Sequence, residues 1–271
     1  MRCRLWLGLT SVLLLGIWTP ATANGDGLPA CAVAARPPET APLRLPGEGA
    51  PTCRATPTAT LKTDGSPRPS PGYHHLGATT ASGWSGALGR LAVSDPGVRA
   101  GTYDFVATRF LAKRADASAV HWLEAGWTET GWSGGGRQRM YTFDSGRDEW
   151  RFYDQYALHA GDRVWLLVEG TAGDWRAWLW WGSAWHLLAA EHLPLGEEAQ
   201  IEQYVEVYAD PARPAQLAVP RVEVDNVQLR SPDGAMTLWR AGSVATEPGL
   251  AVEPYCLDWA VSFDTWSAGT C

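Results

Sequence analysis

Residues 201–208 read Ile-Glu-Gln-Tyr-Val-Glu-Val-Tyr. Ile201, Gln203, Val205 and Val207 point one way, and Glu202, Tyr204, Glu206 and Tyr208 point the other. A helical spacing can be drawn over residues 197–208. The strict period of two and the β-branched and aromatic content favour a strand instead. One face of that strand suits a core. The other carries two carboxylates and two phenols in a row.

Similar short runs recur on both sides. They predict strands at Tyr103–Ala112, Ser118–Thr128, Gln138–Phe143, Glu149–Tyr153, Arg163–Glu169, Trp175–Trp181, Ala184–Leu188, Ile201–Tyr208, Arg221–Leu229 and Met236–Arg240. Turn residues separate them, as at Gly131–Gly136, Gly170–Asp174 and Gly182-Ser183. Many short strands without helix signals imply an all-β fold, a two-sheet antiparallel β-sandwich of jelly-roll type. Residues 24–73 differ, with ten prolines among Ala, Thr, Gly and Ser. That composition buries too little apolar surface to offset the entropy of ordering, so a disordered linker is expected over residues 24–75. The sandwich domain should span residues 76–271.

Arg2 and Arg4 precede the apolar run Leu5–Trp18, and Ala21-Thr22-Ala23 follows. This pattern predicts a secretory signal peptide over residues 1–23, hence a secreted, extracellular protein without a transmembrane anchor. Cys31, Cys53, Cys256 and Cys271 lie beyond it. An even count in an exported chain implies two disulfides. Cys31–Cys53 and Cys256–Cys271 are the expected pairs, because each closes a short loop. No cysteine or histidine spacing suits a metal, and no cofactor motif is present. The net charge of −7 lacks the basic patch a nucleic acid needs. Of sixteen tryptophans, Trp6 and Trp18 fall in the signal segment and fourteen remain. Most should be core, and any on an exposed sheet face would suit sugar stacking.

Four landmarks occur in an order that resembles the glutamic peptidases within the concanavalin A-like jelly rolls. Leu123-Glu124-Ala125-Gly126-Trp127 looks like the eqolisin strand whose Gln-x-Gly carries the catalytic glutamine, with Glu124 in its place. Tyr141-Thr142-Phe143-Asp144 is similar to the aromatic strand that brings a supporting carboxylate, here Asp144. Residues 158–168, LHAGDRVWLLV, match a turn and strand. Residues 201–206 resemble the Ala-Glu-Trp-Ile-Val-Glu strand bearing the catalytic glutamate, which makes Glu202 the general base and Glu206 its neighbour. The resemblance implies a two-glutamate pair, as in the more distant neprosin, that hydrolyses polypeptide in acid. Trp122, Trp178, Tyr204, Glu206 and Arg176 would line its substrate groove. Two other readings compete. One is glycan binding without chemistry, on a platform of Trp178, Trp180, Tyr204, Tyr208, Glu202 and Arg176. The other is glycoside hydrolysis, although no Glu-x-Asp-x-Glu signature is present. For Glu202 and Glu206 the plain alternative is a solvated strand face.

Overall fold

The computed structural model describes residues 27–271 apart from 34–35, 38–39, 64–71, 117–118, 172 and 212–216. The expected signal segment, 1–23, lies outside the described residues. Among the described residues there are seventeen strands and no α-helix.

Two sheets face each other. The first runs β1 (Thr52–Arg54), β11 (Ala184–His192), β10 (Asp174–Trp181), β9 (Arg163–Thr171), β4 (Gly86–Ala92), β13 (Val222–Arg230), β17 (Thr265–Thr270) and β16 (Tyr255–Val261), with β14 (Met236–Leu238) beside β13. The second runs β15 (Thr246–Pro248), β3 (Tyr73–Thr80), β12 (Gln200–Tyr208), β5 (Phe105–Ala115), β6 (Val120–Thr130), β7 (Arg139–Asp144), β8 (Glu149–Tyr153) and β2 (Ala59–Lys62). Apart from the parallel β1–β11 pair, the ladders are antiparallel. The all-β jelly-roll sandwich read from the sequence is therefore the observed architecture.

The core lies between the sheets, and the alternation decides who enters it. On β12, Ile201, Val205 and Val207 are fully buried there. Gln203 is the polar member of that row and is also fully buried. Its amide is used on both sides: Oε1 accepts from Trp266 Nε1 at 2.6 Å, and Nε2 donates to the Phe263 carbonyl at 2.8 Å. A buried amide satisfied in this way costs little. Trp127, Trp175, Trp181, Trp239 and Trp266 fill the same interior.

Part of the expected linker belongs to the fold. β1 adds to the first sheet and β2 to the second. Cys31 and Cys53 are joined, as are Cys256 and Cys271, both as expected. Leu28, Leu45 and Ala50 pack on the outer face of the first sheet against Trp165, Trp178, Trp185 and Leu187. The Arg44 carbonyl accepts from Trp185 Nε1 at 2.8 Å. Strand pairing, a cross-link and a waiting apolar surface supply what this segment's own side chains lack. Composition counts only those side chains, so it misreads residues 27–63.

Gly126 fixes the spacing of β5 and β6. A Cβ there would lie 1.9 Å from the Thr108 carbonyl oxygen and 2.9 Å from the Arg109 Cα. Backbone atoms of a central strand cannot yield that far. Gly126→Ala should cost about 3 kcal/mol or more, read as a lowered urea midpoint. A midpoint within error of the native protein would contradict this account of the strand spacing.

Candidate active site

The face of the second sheet turned away from the core carries the charged row and two cavities. Across β12, β5 and β6, Glu202 sits opposite Leu111 and Leu111 opposite Glu124. Tyr204 sits opposite Arg109 and Arg109 opposite Gly126; one strand further, Gly126 faces Tyr141. Glu206 pairs with Ala107. Arg109 thus stands diagonal to Glu202 and between two further diagonal carboxylates, Glu124 and Glu206, with no side chain beside it at Gly126.

Arg109 forms ion pairs with both. Its Nε meets Glu124 Oε2, and its Nη1 lies 2.5 Å from Glu206 Oε2. Neither N–H direction lines up as a hydrogen bond, so the contacts are close charge pairs. The Arg109 side chain is 6% exposed, Glu124 7% and Glu206 12%, so all three interact where water screens weakly. His75 Nε2 lies 3.2 Å from Glu206 Oε1 and offers a second cation when protonated. Lys113 Nζ takes Glu202.

The charges do not balance. Three carboxylates, two buried and Glu206 mostly so, share two permanent cations, so one carboxyl is in surplus. That group is Glu124. Burial pushes its pKa up to about 8; Arg109 opposes the rise, while Glu206 and Glu202 reinforce it. Arg109 itself is held firmly protonated against its burial by Glu206 and Glu124.

Side chains divide the face into two cavities. One, of about 590 Å³, holds Glu124, Arg109 and Glu206 with Trp122, Phe143 and Trp150. The other, of about 620 Å³, holds Glu202, Tyr204 and Glu247 with Leu250 and Val252. Tyr73, His75 and Lys113 border both. Aromatic residues Phe105, Tyr141, Phe143, Trp150, Phe152 and Tyr208 form the floor around the first cavity.

Of the residues expected at the site, Glu124, Glu202, Glu206, Trp122 and Tyr204 share this face. Trp122 stacks on Phe143, their centroids 5.6 Å apart. The Tyr204 hydroxyl bonds Thr79 Oγ1 at 2.6 Å. Three others do not come together with them. Asp144 pairs with Leu123, one position out of phase with Glu124, so it turns to the opposite face. There it accepts from the Gly146 N–H at 2.7 Å and lies 3.7 Å from Arg147. Trp178 and Arg176 lie on β10, in the first sheet. Trp178 is buried under the N-terminal segment and donates to Glu169 at 3.0 Å. The glycan platform expected from Trp178, Trp180 and Arg176 with Glu202, Tyr204 and Tyr208 is thus split between two sheets.

Sequence reasoning missed Arg109, Lys113 and His75. A signal existed for Arg109, a lone charge in the apolar run Phe105–Ala112. Such a charge in a buried strand needs a partner. His75, half-exposed, borders the groove.

The fold is a two-sheet jelly-roll β-sandwich with its charged cavities on the outer face of the second sheet. No family model matches the chain, and no curated protein does. Among solved structures, scytalido-glutamic peptidase with a transition state analog inhibitor superposes with a TM-score of 0.51. Identity is 13%, over 73% of this chain and 98% of that one. SCP-B, a member of the Eqolisin family of peptidases in complex with a tripeptide Ala-Ile-His, gives 0.41 at 12% identity, over 74% and 98%. Chicken galectin 2 gives 0.29 at 9%, over 56% and 100%. At 13% identity the first match establishes a shared fold; the other two are too distant to carry anything further.

Proposed function

We propose that the cavity around Arg109 is a hydrolytic site for peptide bonds, with Glu124 as the acid and Glu206 as the base. The observation that carries this reading is the charge imbalance. It leaves a neutral carboxyl and a cation-supported carboxylate in one cavity, and environments that set two carboxyls apart in this way assign acid and base roles. Glu206 takes a proton from water, whose oxygen attacks the carbonyl carbon of the scissile bond. Glu124 hydrogen-bonds the carbonyl oxygen as it becomes an oxyanion. Its proton then passes to the leaving nitrogen as the C–N bond breaks. Arg109 holds both carboxyls in place, and Trp122 walls the groove. Glu202, the base expected from the family resemblance, lies in the neighbouring cavity and is occupied by Lys113. The two disulfides suit an oxidising, extracellular setting for this chemistry.

The test is a pH profile of cleavage of a denatured protein by the purified chain. Cleavage should occur in acid and persist toward neutrality. It should fall as the pH rises through about 8, where Glu124 gives up its proton. No cleavage anywhere between pH 3 and 9 would sink the proposal. The glycan reading keeps one supporting feature, a Trp122 face beside Arg109 and Glu206 where a sugar ring could stack. A glycan array run beside the cleavage assay separates the two readings.

A further inference from the structure

Tyr141 is the member of the charged row that the proposed reaction has not used. It lies on β7 opposite Gly126, on the face that carries Arg109 and Glu124. Its ring stacks on Trp150 with centroids 4.9 Å apart, and the residue is fully buried. Its hydroxyl has no hydrogen-bond partner among the described residues. A buried hydroxyl left unpaired costs free energy and calls for an explanation. Arg109 Nε and Nη1, in the same cluster, also lack hydrogen bonds. Arg109 is nonetheless committed as an ion-pair partner to Glu124 and Glu206, which leaves the Tyr141 hydroxyl as the uncommitted donor of this cluster among the described residues.

We infer that Tyr141 is a positioning residue whose O–H turns to the Glu124 carboxylate when that acid has given its proton to the leaving nitrogen. This assignment rests on the hydrolytic reading above. In the resting site Glu124 carries its own proton and makes no demand on a second donor. After proton transfer a largely buried carboxylate is left with Arg109 as its ion-pair partner. A buried, unpartnered O–H on the same sheet face can turn to it and stabilise it. The charges on the Tyr141 hydroxyl come from Glu124 and Glu206, with Arg109 opposing them. Glu124 in turn faces Arg109, Glu206 and Glu202. Lys113 and His75 are bound to Glu202 and Glu206, and Arg139 on the same strand is bound to Asp154.

The test is Tyr141→Phe in the full chain. The variant removes a donor that makes no bond in the resting protein, so its thermal midpoint should stay level or rise. Its kcat on a denatured protein should fall about tenfold or more with KM little changed, the pattern of an interaction made only during turnover. Losing a donor to the ionised form should also move the Glu124 titration to higher pH, followed directly by the infrared carboxyl band assigned with Glu124→Gln. That band is read without any substrate. An unmoved band, or full kcat with a lowered midpoint, overturns the assignment and leaves the hydrolytic reading standing. A wild-type chain that cleaves nothing overturns both.

Discussion

Glu206→Gln should lower kcat for peptide cleavage by about 10²–10⁴-fold, while Glu202→Gln leaves it within a few-fold. The two glutamates lie on one face of one strand, four residues apart, and local sequence ranks them the other way. Their surroundings separate them. Glu206 shares a cavity with Glu124 and is flanked by Arg109 and His75. Glu202 opens into the neighbouring cavity, and Lys113 holds it. A glutamine at 206 keeps the size and shape of the side chain and presents a carbonyl oxygen to Arg109, so the fold should survive and the loss should appear in kcat. Circular dichroism and a thermal midpoint on each variant establish that point. The reverse ranking, activity lost in Glu202→Gln and kept in Glu206→Gln, would return the base role to Glu202.

Arg109→Met should cost about 3–5 kcal/mol at neutral pH, because it strands a buried carboxylate while filling similar space. The loss should depend on pH in a direction fixed by the carboxyls. Glu124 is raised in the folded protein, from 4.5 to about 8. Its contribution to stability is fully present below about pH 4.5 and is lost as the pH rises toward 8. Arg109 pulls that pKa down, so its removal raises the pKa further and widens the window. The variant should therefore regain stability on acidification more steeply than the native chain, as followed by urea unfolding at several pH values. A deficit of the same size at pH 4 and pH 8 would mean that Arg109 acts through packing and not through charge.

The alternation at residues 201–208 was legible because a period of two survives any tertiary context that keeps one face buried. Glu124 stood out through the likeness of Leu123-Glu124-Ala125-Gly126-Trp127 to a glutamic-peptidase strand, and Gly126 in it has a steric reason in the close approach of Thr108. Asp144 shows where the method stops. Within Tyr141–Asp144 the two faces are separable, yet Tyr141 and Phe143 are apolar enough for either. The face is settled by pairing with β6, a long-range fact. The same holds for β10. The period of two separates its faces, with Trp175 and Leu179 in the core between the sheets and Trp178 on the outer side. Nothing local says which sheet a strand joins, so Trp178 was placed in the wrong groove. Arg109 carried the one neglected clue. A permanent charge amid Phe105, Val106, Phe110 and Leu111 has to be there for a carboxylate.

The proline-rich stretch and the surplus of tryptophan looked like separate oddities, one a tether and the other a sugar platform. They are two halves of one contact. Trp165, Trp178 and Trp185 are buried because Leu28, Leu45 and Ala50 pack over them, and those residues are held because the tryptophans and a disulfide give them somewhere to rest. A domain boundary drawn at residue 76 would cut through this contact. It would leave a sandwich with its indoles turned outward, sticky for reasons unrelated to any ligand.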